Sequence, residues 1–173
     1  RCFTKNPNDE ELMFYLGNCY EQGIGTEVNK KRAFECYKKA NELDKTVADY
    51  WAKLGYCYQQ GIGIEVNEKR AFECYKKANE LDKTEACYWN ILGYCYQNGI
   101  GTEVNEKRAF ECFNKAIVLD KTNACYWRNS GYCYLKGIGT EIDKEKAKEL
   151  FQKALELEPD NKAVEELLVE CDE

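Results

Sequence analysis

LGYCYQQGIGIEVNEKRA, residues 54–71, returns with small changes at 16–33, 92–109 and 130–147. The trio Gly-Ile-Gly stands at 23–25, 61–63, 99–101 and 137–139, so the period is 38 residues each time. A fixed period of this length marks a solenoid, in which each unit is one supersecondary element stacked on its neighbours.

Residues 46–83 show what one unit is. Thr46 is placed to cap a first helix, with Asp49 three residues on as a reciprocal partner. Val47, Ala48, Trp51, Leu54 and Tyr58 then fall at helical intervals. Gly61 ends that helix where a left-handed residue is needed, and Gly63 lets the chain reverse. Asn67 caps a second helix that runs to Leu81. Each copy is therefore an antiparallel pair, helix A and helix B.

Glycine inside a helix costs about 1 kcal/mol relative to alanine. Its recurrence in helix A at Gly17, Gly55, Gly93 and Gly131 predicts a close approach by helix B, with Ala71 and Ala78 as the other half of the contact. Repeat four has Ser130 where the other copies have leucine, which predicts looser packing there. At the end of the chain, Pro159 stops helix B and Asp160 is placed to cap a last helix over 162–170. Ala163, Leu167 and Leu168 form its apolar side; Glu165, Glu166 and Glu170 form the other.

The expected fold is all-α: a right-handed alpha–alpha superhelix of four 38-residue helix–turn–helix repeats plus a C-terminal capping helix. The repeats are placed at 9–45, 46–83, 84–121 and 122–159, with a linker remnant at 1–8 and the capping helix and tail at 160–173.

Trp51, Leu54, Gly55 and Tyr58, followed by Ala71, Tyr75 and Ala78, resemble the tetratricopeptide pattern. Trp89, Leu92, Gly93, Tyr96, Ala109, Phe113 and Ala116 repeat it. The turn is about four residues longer than a tetratricopeptide turn and carries two glycines. In that it looks like the Sel-one-like repeat family, over four copies from about Asp9 to Leu157. The resemblance implies non-catalytic adaptor work on protein partners, with helix A lining an inner groove. Some secreted bacterial members join the end of helix B to the next helix A by disulfides. The matching helix B positions here are Asn41, Asn79 and Ile117, so that bridge cannot form.

Composition narrows the function classes. Forty-four per cent apolar residues and 32 per cent charged ones describe a globular chain. No run approaches the roughly 18 apolar residues of a membrane helix, so no membrane insertion is expected. A net charge of −6, with Lys and Glu interleaved, gives no basic stripe for nucleic acid. Eleven cysteines without any Cys-x-x-Cys pair, and no histidine, leave neither a zinc site nor a disulfide framework. Most recur with the repeat and read as small buried hydrophobes in reduced form, which places the chain in the cytoplasm. It opens on Arg1 without a signal peptide, as a piece cut from a longer array would. No isolated acid–base constellation stands out from the repeats, so neither catalysis nor a cofactor is expected.

The repeats are most alike in the turn and helix B: residues 16–45 and 54–83 differ at four of 30 positions. Binding residues are therefore sought on helix A. By the resemblance, the groove residues are Phe14, Asn18 and Glu21 in repeat one, and Asp49, Tyr56 and Gln59 in repeat two. Repeat three supplies Asn90, Tyr94 and Gln97; repeat four supplies Arg128, Tyr132 and Lys136. Formal charge on this face drifts from negative in repeat one to positive in repeat four. Tyr56, Tyr94 and Tyr132 form a ladder, and tyrosine suits interfaces because its ring buries area while its hydroxyl stays paired. The expected occupant is a peptide or helix of a protein partner. The alternative is a structural or engineered consensus-type module with no dedicated ligand. Self-association through the repeat ends is a further expectation, because the N-terminal face lacks a cap.

Overall fold

The computed structural model describes residues 9–172; the linker read at 1–8 lies outside them. The described residues form nine helices and no strand. They are α1 (Glu10–Gln22), α2 (Lys30–Leu43), α3 (Ala48–Gln60), α4 (Glu68–Leu81), α5 (Ala86–Asn98), α6 (Glu106–Leu119), α7 (Ala124–Lys136), α8 (Lys144–Leu157) and α9 (Lys162–Asp172). None is long and apolar enough to cross a membrane. The chain divides into two compact units, one ending at Asp82 and the other beginning at Lys83. In the first, α1 packs on α2, α2 on α3 and α3 on α4. In the second, α5 packs on α6, α6 on α7 and α7 on α8, and α9 lies against α8 and α7.

The turn within each pair follows from its glycines and asparagine. Gly61 takes the left-handed conformation (φ +67°), and its N–H donates to Cys57 O. The Asn67 N–H then donates to Tyr58 O (2.8 Å), while its Oδ1 accepts from Arg70 N (3.0 Å). One asparagine thus ties the end of helix A and caps the start of helix B. Gly63 (φ +70°) has a second constraint: a Cβ there would collide with the Lys30 carbonyl at the start of α2. Gly25, the same position one repeat earlier, has nothing within 4 Å of a Cβ. The neighbouring isoleucines follow suit: Ile62 is 9 % exposed in the core, whereas Ile24 is 53 % exposed.

Helix B does approach the helix A glycine, but through an aromatic ring. A Cβ on Gly55 would lie 2.7 Å from Tyr75 Cε1, and on Gly93 the same distance from Phe113 Cε1. Tyr37 and Phe151 cover Gly17 and Gly131 in the same way. The alanines expected to make this contact are fully buried, yet only the Ala71 carbonyl oxygen shares it, at 3.2 Å.

Three sequence readings are corrected. Thr46 does not cap α3: its N–H and hydroxyl both donate to Asp44 Oδ1 (2.8 and 2.6 Å), and Val47 takes the N-cap position without a side-chain bond. Ser130 does not loosen repeat four, because it is fully buried and donates to Asn114 Oδ1 (2.9 Å). In α9 the capping acceptor is Asn161 Oδ1, which takes the Val164 N–H (3.3 Å), rather than Asp160. Val164 and Cys171 are its buried residues; Ala163 is exposed.

The cysteine reading holds at most positions, though Cys36, Cys87 and Cys125 are only half-buried. Cys19, Cys57, Cys74, Cys95, Cys112, Cys133 and Cys171 are buried, and every described cysteine is a free thiol. Burial pushes the Cys57 and Cys133 thiols up to about 12, and Cys74 and Cys112 to about 11. They stay protonated and serve as packing atoms.

Two predictions follow from the turn and from helix B. Gly25→Ala should cost about 1–2 kcal/mol for the left-handed backbone alone. Gly63→Ala should cost a further 1–3 kcal/mol or so, because the backbone of α2 must move; urea denaturation of the pair measures the difference. The buried Nδ2 of Asn41 has no acceptor, and repeat three places Ile117 at the matching position. Asn41→Ile should therefore raise stability by about 1 kcal/mol, read as a higher urea midpoint at unchanged slope.

Candidate functional site

Each unit presents helix A residues of the expected groove, and the structure divides them into packing residues and exposed ones. In the first unit, the half-buried Phe14 ring lies tilted at 5.4 Å from Tyr37 and 5.0 Å from Tyr50, against the core cluster. Asn18 Oδ1 and Glu21 Oε2 lie 2.9 and 2.6 Å from the Tyr37 hydroxyl, and Gln59 Oε1 accepts from Tyr75 at 2.7 Å. These three side chains satisfy tyrosine hydroxyls that the glycine contact carries inward, where an unpaired polar group would be costly. Asp49 and Tyr56 remain exposed.

Lys53 lies between the acid and the rings. Its Nζ is 2.6 Å from Glu21 Oε2, 4.9 Å from the Tyr37 ring centre and 5.4 Å from that of Tyr56. Burial alone would raise the Glu21 carboxyl, but the bonds from Lys53 and Tyr37 outweigh it and hold the group below its usual range. The buried Tyr37 hydroxyl is pushed far above the ordinary phenol range, by burial first and by Glu21 second.

The second unit repeats this frame with apolar substitutions. Phe113 and Phe151 carry no hydroxyl, so the acceptor position is released: Gln97 is half-buried and Leu135 joins the core. Tyr94 and Tyr132 are exposed. Lys136 forms an ion pair with Glu170 of α9, whose carboxylate raises the lysine. Arg128 is half-buried; its Nη2 lies 3.3 Å from both Asn129 Oδ1 and Cys125 Sγ. Asn129 Nδ2 donates in turn to Asn90 Oδ1 across the two helices (2.8 Å).

Two of the four charges behind that drift are thus compensated by residues outside the groove set: Lys53 pairs with Glu21, and Glu170 with Lys136. Sequence reasoning missed Tyr50, Tyr88 and Tyr126, which are buried although they stand six residues before the exposed ladder. Their signal was recurrence beside the tryptophan in three of the four copies. Among the described residues, no group of three or more His, Cys, Asp or Glu side chains could hold a metal ion.

Comparison with known proteins agrees with this frame. A family described as "Sel1 repeat" matches residues 11–45, 52–83, 90–117 and 128–158. The crystal structure of a Sel1 repeat protein from Oxalobacter formigenes is similar, at 26% identity and a TM-score of 0.77. It covers 98% of this chain and 67% of its own. The protective antigen c5321 of uropathogenic Escherichia coli, described as displaying an SLR fold, has 24% identity and a TM-score of 0.77. There the match covers 93% of this chain and 33% of the antigen, a likeness of fold alone. MamA is similar at 25% identity and a TM-score of 0.63, over 91% of this chain and 83% of its own. No curated protein matches by sequence.

The Glu21 cluster sets a pH dependence. A carboxyl held below its unfolded value adds stability above that value, about pH 4.3, and loses it as pH falls through the folded value. Glu21→Gln should remove no more than about 1 kcal/mol near neutrality, since the pair is partly exposed. The acid limb of a stability-against-pH profile should also become shallower than in the parent.

Proposed function

The chain belongs to the Sel1 repeat family, whose members generally mediate protein–protein interaction, and we propose that it is a non-catalytic scaffold receiving a peptide or helix on its helix A faces. The observation that carries this reading is the contrast between two sets of tyrosines on the same helices. Tyr50, Tyr88 and Tyr126 are buried, while Tyr56, Tyr94 and Tyr132 are 45 %, 50 % and 36 % exposed. A fold that uses aromatic rings so heavily in its core nevertheless leaves one ring per helix in water. Three such rings on one helix A position suit an interface, since tyrosine is enriched where partners dock.

The position of the polar residues supports the same division of labour. Asn18, Glu21 and Gln59 hold the frame by pairing with buried hydroxyls, which leaves the tyrosines and their neighbours for contact. Alanine at Tyr56, Tyr94 and Tyr132 together should leave the helical circular dichroism intact. It should also reduce capture on a bead-displayed library of random decapeptides by roughly tenfold or more, given about 1–2 kcal/mol for each interface tyrosine. Equal capture by the folded variant would sink the groove.

A further inference from the structure

In the second unit, α5 and α7 contain no acidic residue at all and only two cations, Arg128 and Lys136. Lys136 is committed to Glu170. Arg128 meets no carboxylate among the described residues: its contacts are an amide oxygen and a thiol, both made by Nη2. Its Nε and Nη1, carrying three of the five guanidinium N–H donors, have no acceptor there. The side chain is half-buried and held on one side by the chain Asn90–Asn129–Arg128, so part of the ordering that binding needs is already done. On each helix the polar residue and the exposed tyrosine are four residues apart, Asn90 with Tyr94 and Arg128 with Tyr132, and so share a face.

We propose that Arg128 is a carboxylate-binding residue of this face and that it recognises an aspartate or glutamate side chain of the docked segment, beside the contacts made by Tyr94 and Tyr132. A planar fork of donors fits a carboxylate bidentately, and a partly dehydrated guanidinium gains most from a charged acceptor. The choice of a side chain over a chain terminus follows from the neighbours. A terminal carboxylate brings a backbone N–H beside it, which needs an acceptor. The amide oxygens of this network, Asn90 Oδ1 and Asn129 Oδ1, each already accept one bond, which leaves each a single lone pair. A side-chain carboxylate, on its own methylene stem, needs the guanidinium alone. The first unit illustrates the opposite case, where Lys53 is already paired with an internal acid, Glu21.

The proposal deepens the groove reading and rests on it, and the two fail differently. Three bead-displayed decapeptide pools provide the probe: one rich in Asp and Glu with amidated ends, one without acids but with free C-terminal carboxylates, and one with neither. The acid-rich pool should capture the protein roughly tenfold or more better than the uncharged pool, the scale of a hydrogen bond to a charged group. Arg128→Gln should erase that preference, bringing acid-rich capture down to the level the same variant shows for the uncharged pool, while its helical circular dichroism stays intact. Arg128→Lys, which keeps the charge without the fork, should retain only part of it. Equal capture by acid-rich and uncharged pools, or a preference confined to free C-termini, overturns the assignment of Arg128. An acid preference that survives Arg128→Gln overturns it as well. Capture by none of the pools removes the groove reading itself.

Discussion

An aromatic ring packed against a glycine holds each helix pair together, and the other features of the unit are arranged around that contact. The ring of Tyr37, Tyr75, Phe113 or Phe151 occupies the space where a side chain at Gly17, Gly55, Gly93 or Gly131 would stand. Helix A thereby gives up about 1 kcal/mol of helix propensity at one position and gains the burial of a whole ring. The Gly-x-Gly turn, the asparagine cap and the buried cysteines then have fixed geometry to fit. The buried cysteines serve as small packing groups between helices already drawn close.

The same contact sorts the polar residues of helix A into those that pair with the ring's hydroxyl and those that do not. Where the ring is tyrosine, its hydroxyl is carried inward against helix A and must be met there, by Asn18 and Glu21 or by Gln59. Where it is phenylalanine the demand lapses, and Leu135 can be buried at the corresponding place. The first unit therefore spends Asn18, Glu21 and Gln59 on its own hydroxyls. The second leaves an arginine whose neighbours orient it but do not neutralise it.

Much of the fold was legible because its determinants are local and written four times. The period, the left-handed glycines and the Asn67-type cap each involve residues a few positions apart, so spacing alone identifies them. Legibility ended where a choice depended on the third dimension. Thr46 is a sound N-cap by type, yet Asp44 reaches its hydroxyl first. Tyr50 and Tyr56 are the same residue on one helix, and only packing against Phe14 shows which is buried. Ser130 read as a packing defect until Asn114, on the preceding helix, supplied its acceptor. Of the expected groove residues, the tyrosines were picked by type and repetition, and the structure leaves them exposed. Asn18, Glu21 and Gln59 could be seen to serve the fold only once the ring across from them was known.

The pairing of ring and acceptor has a consequence for how such arrays are rearranged. The four copies look interchangeable, and a single helix A might be expected to replace another without harm. Yet α7, with Leu135 in the acceptor position, set against α2 would strand the Tyr37 hydroxyl in the interior. In the reverse exchange, α1 set against α8 would bring Glu21 to a phenylalanine that offers it no hydroxyl. The smallest segment that recombination can move intact is therefore the helix pair, cut in the linker ahead of helix A rather than at the conspicuous glycine turn.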